Sequence, residues 1–114
     1  MSVKLTTRQV GDVTVVDAVG RITLGEGAST FRDTIRELAS KGKKKLLLNL
    51  AEVSYIDSSG IGEMVSGFTT VTNQGGAVKL LNLTKRVRDL LQITKLYTVF
   101  EVFDDEATAV RSFS

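Results

Sequence analysis

The chain contains no cysteine and no histidine. The first absence removes disulfide staples and thiolate chemistry, and the second removes the imidazole that most often serves as general base or metal ligand. The commonest catalytic and metal-binding constellations therefore have no residues to build them, and no catalytic residue, metal site or cofactor is expected. No apolar run approaches the roughly 18 to 20 residues of a membrane span. The opening Met1-Ser2-Val3-Lys4 has no signal-peptide core, so a cytoplasmic location is the expectation. A net charge of +2 is too small to argue for direct nucleic acid binding. The cluster Lys41, Lys43, Lys44 and Lys45 reads as a solvated loop leading into an apolar strand rather than a phosphate patch, though it can steer an acidic partner.

What is present suits one compact module. With 114 residues, 42% of them hydrophobic, the chain can bury one sizeable core but not two, so a single domain over residues 1–114 is predicted. No linker, repeat or low-complexity segment interrupts it. Val3 to Val10 and Val13 to Val19 read as strands joined by the turn dipeptide Gly11-Asp12, an antiparallel hairpin. Ala28, Phe31, Ile35 and Leu38 mark a first helix that ends at Lys41-Gly42. Lys45 to Leu50 is an apolar strand, and Leu46 to Leu50 carries apolar residues toward both faces, as a central parallel strand does. Ile61, Met64, Val65, Phe68 and Val71 form the stripe of a second helix ending near Asn73-Gln74-Gly75-Gly76. Ala77 to Leu81 is a further strand, followed by a short helix through Val87, Leu90 and Leu91. A last strand over Thr98 to Val102 and a final helix from Asp104-Asp105-Glu106, carrying Ala107 and Val110, close the chain. Phe113 reads equally as packing or as a partner contact. The pattern is α/β, a mixed sheet opened by a hairpin with about four helices packed against it.

The segment Asp57-Ser58-Ser59-Gly60 joins the loop after the apolar strand to the second helix. Asp57 or Ser58 falls at the N-cap, where a side-chain oxygen can accept a bond from an amide that has no partner within the helix. The helix dipole favours a carboxylate there and tolerates a phosphate. Gly60 and Gly62 weaken the first turn, by about 1 kcal/mol each relative to alanine. They also leave it free of bulk, so a partner backbone can approach. Taken alone, the tetrapeptide reads more readily as a plain capping segment, since short motifs have many false positives. The loop Gly25-Glu26-Gly27 lacks the Gly-Lys-Ser/Thr ending of a phosphate loop and reads as a lead into a helix.

Leu46 to Gly62, with Gly20-Arg21-Ile22 before it and Val78-Lys79-Leu80-Leu81-Asn82-Leu83 after it, resembles the STAS domains of bacterial anti-sigma factor antagonists. In that family an apolar strand ending in Asn or Asp-Leu is followed by a short loop and by Asp-Ser-Ser/Thr-Gly-Leu/Ile-Gly. Here Ile61 stands where leucine is common. The resemblance implies a single STAS domain, and a switch in which Ser58 is phosphorylated by an anti-sigma factor that is itself a serine kinase. The unphosphorylated domain binds that kinase and frees a sigma factor, and a serine phosphatase reverses the mark. Ser59 is a neighbouring hydroxyl. The expected partner surface comprises Asp57, Ser58, Ser59, Gly60, Gly62 and Glu63 with Arg21 and Thr23 from the segment before the first helix. Two other readings stand beside this one. One is a scaffold-type STAS protein of a stress-signalling or transport complex, which binds without a phospho-switch. The other is an enzyme with an activated serine, against which the missing base argues.

Overall fold

Residues 3–114 are described by the structure, a computed structural model; Met1 and Ser2, at the start of the predicted domain span, lie outside the described residues. The chain opens with the expected hairpin, β1 (Val3–Val10) and β2 (Val13–Ile22), paired antiparallel from Val10↔Val13 to Val3↔Gly20. Gly11 supplies the positive φ of 63° at the first loop position, which is the type II′ requirement. Alternation of helix and strand then follows as α1 (Glu26–Ser40), β3 (Lys45–Ile56), α2 (Ser58–Asn73), β4 (Ala77–Leu81) and α3 (Lys85–Ile93). A 3-10 turn at Leu96–Thr98, a two-residue strand β5 (Val102–Phe103) and α4 (Glu106–Arg111) complete it. The five strands lie in the order β1-β2-β3-β4-β5, parallel from β2 onward, so β3 is central as its two apolar faces predict.

The alternation of side chains sorts the core into two layers. Val16, Ala18, Leu46, Leu48, Leu50 and Leu80 face the larger layer, under α1, α2 and α3. Val13, Val15, Leu47 and Leu81 face a smaller one, covered by Ala109 of α4. The final helix therefore rests on Ala109, with Ala107 exposed and Val110 half-buried, one position away from the predicted stripe. Phe113 packs against this smaller layer, with the Lys79 ammonium 4.7 Å from its ring centre.

Three strands differ from expectation in their bounds. The predicted strand Thr98 to Val102 is mostly absent: Lys95 turns left-handed at φ 62°, and the Phe100 amide donates back to the Leu96 carbonyl. That turn drives Phe100 into the larger layer, edge-on to Phe68 with ring centres 5.3 Å apart, and leaves only Val102–Phe103 to pair with β4. Conversely β3 runs on past Leu50 to Ile56, and β2 past Val19 to Ile22, pairing as far as Ile22↔Ile56. This extension hides from a period-two reading because the register slips by a residue between Asp17 and Val19 and again between Gly20 and Arg21. Val53 and Ile56 are buried while Ala51, Glu52 and Ser54 are exposed, a spacing of three that does not read as the period-two alternation of a strand.

Candidate functional site

Both long helices begin against the C-terminal end of β2, and glycines make that possible. A Cβ on Gly27, in the first turn of α1, would lie 2.5 Å from the Arg21 carbonyl oxygen. One on Gly60, in the first turn of α2, would lie 2.1 Å from the Ile22 carbonyl oxygen and 2.7 Å from Cγ2 of Ile56. Gly60 is therefore buried by the chain's own packing, and its lack of bulk serves the fold rather than the approach of a partner backbone. Gly62 is the opposite case: it is exposed, and nothing lies within 4 Å of where its Cβ would be.

Asp57 ties this corner together and is the N-cap of α2. Its Oδ1 accepts the Gly60 amide at 2.9 Å and its Oδ2 accepts the Leu24 amide, from the β2–α1 loop, at 2.8 Å. These two amides, Leu24 first, hold its carboxyl below the usual carboxylate range. With both oxygens engaged and its basicity lowered, Asp57 is a poor proton acceptor for the neighbouring serine. Its chemistry is that of a cap and a staple.

Around this staple the expected residues separate into groups. Ser58, the first residue of α2, is exposed, and Ser59 is half-buried beside it. Glu63, one turn further, is partly covered and faces Arg32 of α1 at 3.9 Å. Thr23 is half-buried and its carbonyl accepts the Ala28 amide at 2.8 Å, closing the loop onto α1. Arg21 turns away from this loop: its guanidinium sits 5.5 Å from the ring centre of Tyr55 in β3. One residue that pattern reading passes over is Leu24, 79% exposed although its amide is pinned by Asp57. An apolar side chain held in water beside a serine was readable only as part of the Gly20 to Gly27 segment. Gly25, with φ 95°, is the N-cap of α1 and makes no side-chain cap bond, so the loop acts as a lead into that helix.

Among described residues no group of histidine, cysteine, aspartate and glutamate is arranged to hold a metal ion, and no helix is long and apolar enough to cross a membrane.

The sequence pattern of the STAS domain matches residues 4–109. The anti-sigma-B factor antagonist of Bacillus subtilis (strain 168) is 33% identical over 102 residues, which is 90% of this chain and 92% of that protein. An anti-sigma factor antagonist from Mycobacterium paratuberculosis, seen in a crystal structure, superposes with a TM-score of 0.88 at 16% identity, over 98% of this chain and 94% of that one. The Bacillus cell fate determinant SpoIIAA in its phosphorylated form superposes at 0.76 with 19% identity, over 97% of this chain and 100% of that one. At these identities the two structures establish the shared fold. Strand order, helix layers and family match define a STAS domain. Within that class the chain belongs to the anti-sigma factor antagonist family.

Proposed function

We propose that this protein is a phosphorylation-switched binding module of the cytoplasm. Unphosphorylated, it binds an anti-sigma factor that is a serine kinase and so releases a sigma factor, which begins transcription of its regulon. The kinase ends the complex by phosphorylating Ser58, and a serine phosphatase restores the binding form. The observation that carries this reading is the exposed Ser58 at the start of α2, beside an Asp57 whose two oxygens are already taken by backbone amides. Among the described residues the carboxylate next to Ser58, Asp57, is already committed to two amides, so this reading gives the transfer chemistry to the kinase.

The energetics fit a switch that spares the fold. A phosphate adds about −1.5 to −2 charges, next to a carboxylate that its own bonds keep ionised. At an interface this brings repulsion and desolvation, and every 1.4 kcal/mol weakens association about tenfold. The helix N-terminus meanwhile accommodates the phosphate within the domain. That SpoIIAA has been solved in both unphosphorylated and phosphorylated forms supports a fold of this kind that survives the mark. The partner surface is Ser58, Ser59, Gly62 and Glu63 on α2 with Thr23 and Leu24, while Asp57 and Gly60 hold its shape and Arg21 lies aside against Tyr55.

The test compares Ser58→Ala with Ser58→Asp for affinity to the cognate anti-sigma kinase. The alanine variant should bind constitutively and the aspartate variant at least tenfold more weakly. Equal affinities contradict the switch and favour a permanently bound scaffold.

A further inference from the structure

We propose that the groove between the end of β3 and α3 is a docking site for an acidic segment of a partner protein. Its floor is Tyr55, whose ring has the Arg21 guanidinium 5.5 Å from its centre and the Arg86 guanidinium 5.3 Å from it. β2, β3 and α3 thus bring two arginines onto one aromatic ring. Among the described residues neither arginine forms an ion pair, whereas Arg8, Arg32 and Arg88 each face a carboxylate. The groove has a volume of about 510 Å³ and is walled by Ile56, Lys85, Leu90 and Ile93. It adjoins a second open surface formed by Arg21, Ser54, Tyr55 and Arg86. The single carboxylate in it, Asp89, is already held by Lys85 at 2.9 Å. Ile93 is 79% exposed.

The chemistry selects the occupant. Guanidinium groups resting on an aromatic face are weakly hydrated and present a planar fork that matches a carboxylate, so two unpaired ones call for acidic side chains. Lys85 and Asp89 offset each other, which leaves the two arginines as the uncompensated charge of the groove. The apolar wall of Leu90 and Ile93 has no use for a free anion, but it receives one aliphatic or aromatic side chain of an acidic peptide. Tyrosine, arginine and a buried apolar contact are also the residue types that carry binding energy at protein interfaces. Arg21 precedes Ile22, whose carbonyl meets the start of α2, so the groove and the Ser58 surface both adjoin the C-terminal end of β2. It rests on the proposed function only for the identity of the partner.

The deciding experiment titrates the isotope-labelled full chain with a short synthetic peptide of glutamates around a central leucine, and follows backbone shifts by NMR. Parallel titrations use the same peptide with lysines and inorganic phosphate alone. Saturable shifts at Tyr55, Arg86 and Ile93 are expected with the acidic peptide only. Affinity should fall at least tenfold in the double variant Arg21→Glu, Arg86→Glu and severalfold in Ile93→Ser, with spectra otherwise native. Ser58→Asp should bind the peptide as the parent does, which separates this site from the switch. The proposal is overturned by shifts that miss these residues, by equal binding of the lysine peptide, or by full affinity in the variants. It is overturned as well if phosphate alone reproduces the shifts, which marks a simple anion site.

Discussion

Alanine at Gly60 and alanine at Gly62 should move stability in opposite directions, although the two positions lie in the same turn of the same helix. Relieved of glycine's backbone entropy, a helix interior gains about 1 kcal/mol on substitution by alanine. Gly62→Ala should realise most of that gain, because its Cβ would meet nothing within 4 Å. Gly60→Ala cannot, since its Cβ would sit 2.1 Å from the Ile22 carbonyl oxygen, a backbone atom with no rotamer to escape into. Either α2 lifts from β2, loosening the Asp57 cap that depends on the Gly60 amide at 2.9 Å, or the strand end shifts. Overpacking of this kind costs about 1–3 kcal/mol. After the propensity gain, a net loss of up to about 2 kcal/mol is expected for Gly60→Ala, and a gap of roughly 1–3 kcal/mol between the variants. Urea unfolding of both proteins under one set of conditions measures it. Equal stabilisation by the two alanines would refute the close approach of α2 to β2.

Asp57→Ala should cost about 0.5–2 kcal/mol through loss of the cap, measured by the same denaturant titration. The carboxyl of Asp57 titrates lower folded than unfolded. Its contribution is therefore complete above the ordinary aspartate value of about 3.9 and is lost as pH falls through the lower folded value. Acid titration of Asp57→Asn should lack that part of the parent's decline, and identical acid limbs would contradict the staple. Arg8 bridges Asp17 at 2.7 Å and Glu106 at 2.6 Å but is 41% exposed. Arg8→Ala should accordingly cost about 1 kcal/mol at low salt and less at high salt, as thermal melts at two ionic strengths will report. Leu24→Ser should weaken binding to the anti-sigma kinase severalfold while leaving the unfolding midpoint unchanged, because the side chain it removes is 79% exposed.

Most of the fold was legible because each element carries its own signal. The hairpin announced itself at Gly11-Asp12, α1 at its Phe31, Ile35 and Leu38 spacing, and β3 by apolar residues on both faces. What escaped reading depends on partners distant in sequence. The stretch Thr98 to Val102 has strand composition, yet Phe100 is buried edge-on against Phe68 instead of joining a ladder. The continuation of β3 to Ile56 exists because β2 supplies a neighbour, and its register slips erase the alternation that would betray it. The same holds at the site. Asp57 as cap follows from the helix pattern, but its second bond, to the Leu24 amide, joins residues that only the parallel pairing of β2 and β3 brings together. The sequence presents Gly60 and Gly62 alike, and only the position of the Ile22 carbonyl tells them apart. The Arg21, Tyr55 and Arg86 stack was invisible for the same reason, being contributed by three separate elements.

The most direct test of the switch is intact mass and peptide mapping of the protein after incubation with ATP and its anti-sigma kinase, followed by a binding measurement on the product. The account predicts a single phosphate on Ser58, a native fold and loss of the kinase complex. A stable complex that forms regardless of ATP, with no phosphate on the chain, would contradict it.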